Sequence, residues 1–171
     1  MFIDEAGITT KMTRTHARAP RGRRALGTAP YGHWHRVTLL GALGCDGLAA
    51  VMSVEAATST PVFLAFVEQV LIPELRRSKP SAAVVMDNLR PHKAAAVRQK
   101  LEAAGLKPLY LPRYAPELSP IEPCWSKTKT LLRAKAARTV EALDLALGPV
   151  LDSITAQDAR GWFKHCGYPL N

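Results

Sequence analysis

The chain has 171 residues and a formal net charge of +9 at pH 7, with 47% hydrophobic and 6% aromatic residues. This length suits one globular domain that buries roughly 70% of the surface of its unfolded chain. No apolar run reaches the roughly 18 residues of a membrane span, and no basic segment leads an apolar stretch as in a secretory signal. Three cysteines without CxxC spacing indicate a reducing compartment rather than a disulfide framework.

The predicted elements alternate between strands and helices. In chain order we predict a strand over 1–6, a basic loop over 7–32, strands over 34–43 and 48–55, a helix over 59–78, a strand over 82–87, a helix over 92–104, a strand over 106–111, helices over 120–136 and 139–154, and a short segment around Trp162. An antiparallel hairpin followed by β-α-β crossovers predicts an α/β fold, with a mixed sheet and helices on both faces.

Local signals support several of these boundaries. Cys45-Asp46-Gly47 contains the Asp-Gly pair that is typical of a tight hairpin turn. Ser59 or Thr60 can cap the helix over 59–78, with Pro61 at its first position, and Pro73 is expected to kink or end it. Gly105 is expected to close the helix over 92–104.

Positive charge is concentrated between Glu5 and Asp46, where no acidic residue occurs. The basic residues of this stretch are Lys11, Arg14, Arg18, Arg21, Arg23, Arg24 and Arg36, together with His16, His33 and His35. The pattern predicts contact with a polyanion, and the alternative is a solvated arginine-rich loop. Because the stretch is rich in glycine and proline, we expect contacts with nucleic-acid phosphates rather than a recognition helix that reads bases.

Three carboxylates stand where strands end or helices begin. Asp87 follows the apolar run 82–86, Glu122 lies in the proline-rich segment 111–125, and Asp4 lies in the first strand. Parallel strands bring their carboxyl ends to one edge of a sheet, where ligands bind in open α/β folds. Carboxylates gathered there predict a Mg²⁺ site that works on phosphodiesters. Asp4 and Glu5 compete for the first position, because strand alternation sends them to opposite faces.

Two of these carboxylates, Asp87 and Glu122, also have an ordinary structural explanation, and so does the nearby His92. Asp87 could cap the next helix, and Ser119 to Glu122 matches a capping box, although Pro123 should weaken a regular first turn there. His92 could approach a scissile phosphate or a hydroxyl, or it could be an ordinary residue at the start of a helix.

Other kinds of site have weaker support in the sequence. His33, His35 and Cys45 lack a fourth ligand at a spacing suited to zinc. No serine or cysteine sits in a glycine elbow with triad partners, and no glycine loop of the phosphate-binding kind occurs.

Several motifs resemble the DDE transposases of the mariner-like superfamily, most closely its bacterial insertion-sequence branch. They are Phe2-Ile3-Asp4-Glu5, Met86-Asp87-Asn88 with His92-Lys93, Gly32-His33-Trp34, Val67-Glu68-Gln69-Val70-Leu71, Leu111-Pro112-x-Tyr114-x-Pro116-x-Leu118-x-Pro120-Ile121-Glu122, and the segment from Gly161 to Tyr168. The resemblance covers nearly the whole chain, and 34 residues separate Asp87 from Glu122.

The resemblance implies a ribonuclease H-like fold and favours Asp4 over Glu5. It implies that Asp4, Asp87 and Glu122 are both catalytic residues and metal ligands, with Asn88 and His92 as accessory candidates. With DNA bound, Asp4 would bridge two Mg²⁺ or Mn²⁺ ions. Asp87 would hold one of these ions and Glu122 the other. The implied activity is metal-dependent DNA cleavage and strand transfer. A catalytically inert DNA-binding remnant and a ribonuclease H-like nuclease are the alternatives.

The resemblance also sets expectations for organisation and partners. Residues 1–171 would form one catalytic domain, and the family's N-terminal helix-turn-helix region is expected to be absent, because only Met1 precedes Phe2. The chain would then be a truncated copy or one half of a split gene, with a separately encoded DNA-binding half. Expected partners are double-stranded DNA, at the element ends and the target, and a second copy of the chain, in the bacterial cytoplasm at the nucleoid and away from membranes.

Overall fold

A five-stranded sheet forms the middle of the protein, and the computed structural model describes residues 1–170. The strands are β1 (Phe2–Thr9), β2 (Arg36–Gly44), β3 (Gly47–Val54), β4 (Ala83–Met86) and β5 (Lys107–Tyr110). Their spatial order is β3-β2-β1-β4-β5. The β1–β2 and β2–β3 pairs are antiparallel, whereas β1–β4 and β4–β5 are parallel. The predicted mixed sheet with an antiparallel hairpin at one edge is confirmed.

The hairpin between β2 and β3 closes at the predicted position. Gly44 pairs with Gly47, so Cys45 and Asp46 form a two-residue turn. Gly47 has a φ of +117°, a conformation that residues with a side chain rarely adopt. β1 extends to Thr9, beyond the predicted end at residue 6, because its pairing with β2 continues to Arg36.

Within residues 1–170, six helices pack around the sheet. They are α1 (Thr60–Phe66), α2 (Ile72–Ser78), α3 (Ala95–Ala103), α4 (Ile121–Lys135), α5 (Val140–Asp152) and α6 (Ala156–His165), with a π-helical turn over Val67–Leu71 and a 3₁₀ turn over Pro116–Leu118. The Ser59 side chain accepts from the Val62 N–H, which confirms the predicted cap of α1. Within residues 1–170, no helix is long and apolar enough to span a bilayer.

Three further predictions differ from the structure. Pro73 does not end the helical run, which continues through α2 to Ser78, because the wider turn over Val67–Leu71 precedes it and accommodates a residue without an N–H. α3 begins at Ala95 rather than at residue 92. The terminal segment is a ten-residue helix, α6, stabilised by a capping box between Thr155 and Asp158.

The sheet separates two apolar cores. One face is covered by α4, α5 and α6 and is called the α4 face; Phe2 and Ala6 of β1 are buried there. The opposite face is covered by α1, α2 and α3 and is called the α1 face; Ile3 of β1 is buried there. Strand alternation therefore directs Asp4 to the α4 face and Glu5 to the α1 face.

Candidate active site

Asp4, Asp87 and Glu122 line one cavity of about 440 Å³ at the edge of the sheet. Asp87 directly follows β4, which pairs in parallel with β1 through Phe2 and Val85, so Asp4 and Asp87 come from adjacent strands. Glu122 lies in the first turn of α4. The remaining lining residues are Ile3, Asn88, Leu89, Leu111, Pro112, Arg113, Tyr114, Ala115, Pro116 and Ser119. The structure thus brings the three predicted acids together at the carboxyl end of the parallel strands.

Asp4 occupies the most crowded electrostatic position in the cavity. The pKa of its carboxyl is raised to about 7, mainly by burial. A backbone hydrogen bond at Glu5 lowers this pKa, and the nearby charge of Glu122 contributes to the rise. Asp87 and Glu5 add smaller repulsions of the same sign. Negative charges gathered at short range favour the binding of a cation, which would relieve their repulsion.

Asp87 is held by two hydrogen bonds to the same oxygen. Its Oδ1 accepts from the Leu89 backbone N–H at 2.9 Å and from His92 Nδ1 at 2.6 Å. Burial alone would raise the pKa of this carboxyl, but the bonds from His92 and Leu89 lower it below its usual value. The side chain is 44% exposed. Asp87 is therefore an ionised carboxylate with a fixed orientation at the cavity wall.

Glu122 is not part of a capping box, and that interpretation is wrong. The N-cap of α4 is Pro120, and no side chain caps this end. The backbone N–H of Glu122 donates to the Ser119 carbonyl at 3.1 Å, so Ser119 lies one residue outside the capping position. Pro123 does not disturb the first turn, because an N–H at this position has no partner within the helix. The Glu122 carboxylate is left free to face the cavity.

His92 lies neither in the cavity, where it could approach a phosphate or hydroxyl, nor at the start of a helix. It is completely buried and absent from the cavity wall, so it cannot approach a phosphate there, and it precedes the start of α3. Its ring bridges two carboxylates, since Nε2 also lies 2.9 Å from Glu5 Oε2. Burial would lower its pKa, but the bonds to Asp87 and Glu5 raise it to about 9. Sequence reasoning missed Glu5 as a partner, although its alternation with Asp4 placed it opposite the cavity.

Asn88 has a structural role as well as a place in the cavity wall. Its side-chain amide donates to the Leu111 carbonyl, which joins the end of β4 to the residue after β5. Tyr114, part of the proline-rich motif before α4, has a φ of +58° and is 98% exposed at the cavity. A non-glycine residue in this backbone region is uncommon.

The basic stretch between β1 and β2 lies apart from the cavity. Its lysine and arginines are all exposed, and within residues 1–170 none of them forms an ion pair with a carboxylate: Lys11, Arg14, Arg18, Arg21, Arg23, Arg24 and Arg36. Lys11 Nζ lies 4.2 Å from the centre of the Trp34 ring. Arg138 donates to the carbonyls of Thr10 and Met12, which fixes the start of the loop beside the end of α4.

No group of three or more His, Cys, Asp and Glu side chains within residues 1–170 forms a ready-made metal cage. Asp4, Asp87 and Glu122 instead line an open cavity, and Asp87 Oδ1 is already bonded to protein donors. Mg²⁺ is usually held by one or two carboxylates, with water and substrate phosphates completing its coordination. The donor set fits such an ion.

The protein is an α/β domain with a mixed sheet and acidic residues at the end of its parallel strands. The sequence model of the DDE superfamily endonucleases matches residues 1–144, and the chain belongs to this family. The comparison with curated proteins found no significant match.

Solved structures of the Mos1 transposase are similar to this chain. A paired-end complex with the left transposon end has a TM-score of 0.79 at 18% identity, covering 96% of this chain and 51% of that chain. The strand transfer complex has a TM-score of 0.70 at 18% identity with the same coverage, 96% and 51%. The catalytic domain alone has a TM-score of 0.69 at 13% identity, covering 96% and 76%. The chain spans about half the length of the Mos1 chains in the two complexes, and the likeness confirms the ribonuclease H-like fold.

Proposed function

We propose that this chain is the catalytic part of a transposase that cuts DNA and joins the freed end to a target. The observation that carries the proposal is the meeting of Asp4, Asp87 and Glu122 around one cavity in a member of the DDE endonuclease family. The similar Mos1 structures, which include complexes with transposon ends and after strand transfer, support the same function. The motifs around Asp87 and Glu122 further support membership of the bacterial insertion-sequence branch.

The cofactor in this proposal is a pair of Mg²⁺ or Mn²⁺ ions. Asp4 would contribute to both ions, and Asp87 and Glu122 would each hold one. Mos1 paired-end complexes have been solved with Mn and with Mg, which supports the choice of metal. Bound ions of this kind stabilise the attacking and leaving oxygens of a phosphodiester displacement.

The protein's own residues prepare the site for that chemistry. His92 and the Leu89 N–H hold Asp87 in one orientation, and the start of α4 directs Glu122 toward Asp4. The bond from Asn88 to the Leu111 carbonyl holds the cavity wall in place. The exposed arginines of the β1–β2 loop would bind DNA phosphates away from the cavity.

The remaining partners follow from the same proposal. Double-stranded DNA is the substrate, a second copy of the chain would bring two element ends together, and a separately encoded helix-turn-helix half would recognise those ends. Such a protein would work at the bacterial nucleoid in the cytoplasm.

The test is cleavage of supercoiled plasmid DNA by the purified 171-residue chain with Mg²⁺ or Mn²⁺. We expect divalent-dependent nicking that Asp87→Asn and Glu122→Gln abolish, because a neutral amide is a poor ligand for a hard cation. Glu117→Gln is the matched control, since Glu117 is exposed on the neighbouring turn outside the cavity.

Each other outcome points to a different function. Cleavage that survives Asp87→Asn or Glu122→Gln would remove that residue from the site. Salt-sensitive DNA binding without cleavage would identify an inert remnant. Preferential cutting of an RNA–DNA hybrid would favour a ribonuclease H-like nuclease over a transposase.

A further inference from the structure

Behind the cavity wall, on the α1 face, a buried imidazole joins two carboxylates from different elements. His92 Nδ1 lies 2.6 Å from Asp87 Oδ1, and Nε2 lies 2.9 Å from Glu5 Oε2. The His92 side chain is fully buried and that of Glu5 is 15% exposed. Each ring nitrogen thus lies within hydrogen-bonding distance of one carboxylate oxygen. Asp87 is the only one of these three residues that reaches the cavity.

We propose that Glu5 and His92 are positioning residues that hold Asp87 ready to bind a divalent cation. This inference rests on the proposed function, in which Asp87 is a metal ligand. Within residues 1–170, both hydrogen bonds to Asp87 engage Oδ1, and none engages Oδ2. These two hydrogen bonds therefore fix the plane of the Asp87 carboxylate and leave Oδ2 for a cation.

The surroundings of His92 make the imidazole a rigid support. The Phe63 ring packs against it with ring centres 4.3 Å apart, and the Tyr110 hydroxyl donates to the His92 carbonyl at 3.2 Å. Phe63 is itself fully buried in the core of the α1 face. An imidazole fixed on its face and at both nitrogens cannot rotate without leaving the partly buried Glu5 carboxylate unpaired, which is costly.

The effect of the pair on a cation should be large. Hydrogen bonds that orient a ligating side chain typically contribute a factor of roughly 10–100 to metal affinity or activity. Without His92, Asp87 would keep only the bond from the Leu89 N–H. The carboxylate could then rotate, and the cation would lose a preformed ligand.

The experiment measures Mn²⁺ binding to the full chain by electron paramagnetic resonance, with circular dichroism to establish folding. We expect Glu5→Ala and His92→Ala to weaken Mn²⁺ binding roughly 10- to 100-fold. Glu5→Gln should restore most of the affinity, because its side-chain carbonyl can accept from Nε2. If His92→Ala does not fold, the Glu5 variants decide the outcome.

Combination with Asp87→Asn separates positioning from a general structural role. If the pair acts through Asp87, then Glu5→Ala should weaken Mn²⁺ binding little further once Asp87 is Asn. An equal loss in both backgrounds would overturn the proposal, as would normal Mn²⁺ binding by folded Glu5→Ala. If Asp87→Asn itself leaves Mn²⁺ binding unchanged, or the wild type binds no Mn²⁺, the proposed function fails as well.

Discussion

The two faces of the sheet contribute different residues to the site. The α4 face carries Asp4 and Glu122 at the cavity, whereas the α1 face carries Glu5 and His92 in a closed core. Asp4 and Glu5 are adjacent in the sequence, yet one faces the cavity and the other supports Asp87 from behind. The comparison teaches that the closed face is connected to the cavity through one carboxylate, Asp87, at the end of β4.

β2 offers a matched pair of substitutions for this comparison, because it places neighbouring residues on the two faces. Leu40 lies opposite Glu5 on the α1 face, and Gly41 lies opposite Asp4 on the α4 face. Leu40 is fully buried in the core of the α1 face. Gly41 has no side chain because Trp125 of α4 fills that space: a Cβ there would lie 2.6 Å from the Trp125 ring.

The largest loss of stability is expected for Leu40→Ala. Removing a fully buried leucine leaves a cavity in the core, and such changes cost about 2–5 kcal/mol in the free energy of unfolding. Urea unfolding followed by circular dichroism measures the loss. Where the variant remains folded, its divalent-dependent cleavage should fall less than that of Gly41→Ala, since α4 and Glu122 are untouched. A loss below about 1 kcal/mol would show that the core of the α1 face can collapse around the space.

Gly41→Ala should cost less stability and more activity than Leu40→Ala. The added methyl group must push the buried Trp125 ring and with it α4, which carries Glu122. Overpacking of this kind typically costs about 1–3 kcal/mol. A shift of α4 relative to β1 should also separate Glu122 from Asp4 and lower the rate of plasmid nicking.

A compensating change tests the cause of that loss. Phe in place of Trp125 lacks the two ring atoms that lie nearest the Gly41 position, so the double variant Gly41→Ala with Trp125→Phe should recover nicking relative to Gly41→Ala. If Gly41→Ala cuts DNA normally, or if the double variant recovers only stability, the packing of α4 does not set the spacing of the acids.

The smallest effect on stability is expected in the basic loop, which belongs to neither face. Replacing Arg21, Arg23 and Arg24 together by glutamine should leave the unfolding curve unchanged, since all three are exposed. DNA affinity should fall about equally for specific and random duplexes. The slope of log affinity against log salt should also flatten by up to about 0.9 for each lost phosphate contact.

Fluorescence anisotropy across a salt series measures the loop's contribution. Arg76→Gln together with Arg77→Gln, at the end of α2, is a control for lost positive charge at exposed arginines outside the loop, with two charges removed rather than three. An unchanged slope for the loop variant, or a loss confined to one DNA sequence, would mean that the loop does not bind phosphates.

The sequence by itself determined the features that depend on local geometry. Alternation in β1 separated Asp4 from Glu5, the Asp46-Gly47 pair located the hairpin, and Ser59 marked the start of α1. These signals act over a few residues, through backbone dihedral preferences and short hydrogen bonds, so the tertiary structure does not change them. The proline-rich approach to Glu122 also located the third acid, although no capping box forms there.

Only the tertiary structure decided which distant groups meet. His92 is 87 residues from Glu5 in the sequence, yet the two side chains bond because the parallel pairing of β1 and β4 brings them together. Trp125 excludes a side chain at Gly41 through the packing of α4 on β2. Contacts of this kind depend on strand order and helix position, which no short segment specifies. The roles of His92 between two carboxylates and of Gly41 beneath Trp125 can therefore be recognised only in the folded protein.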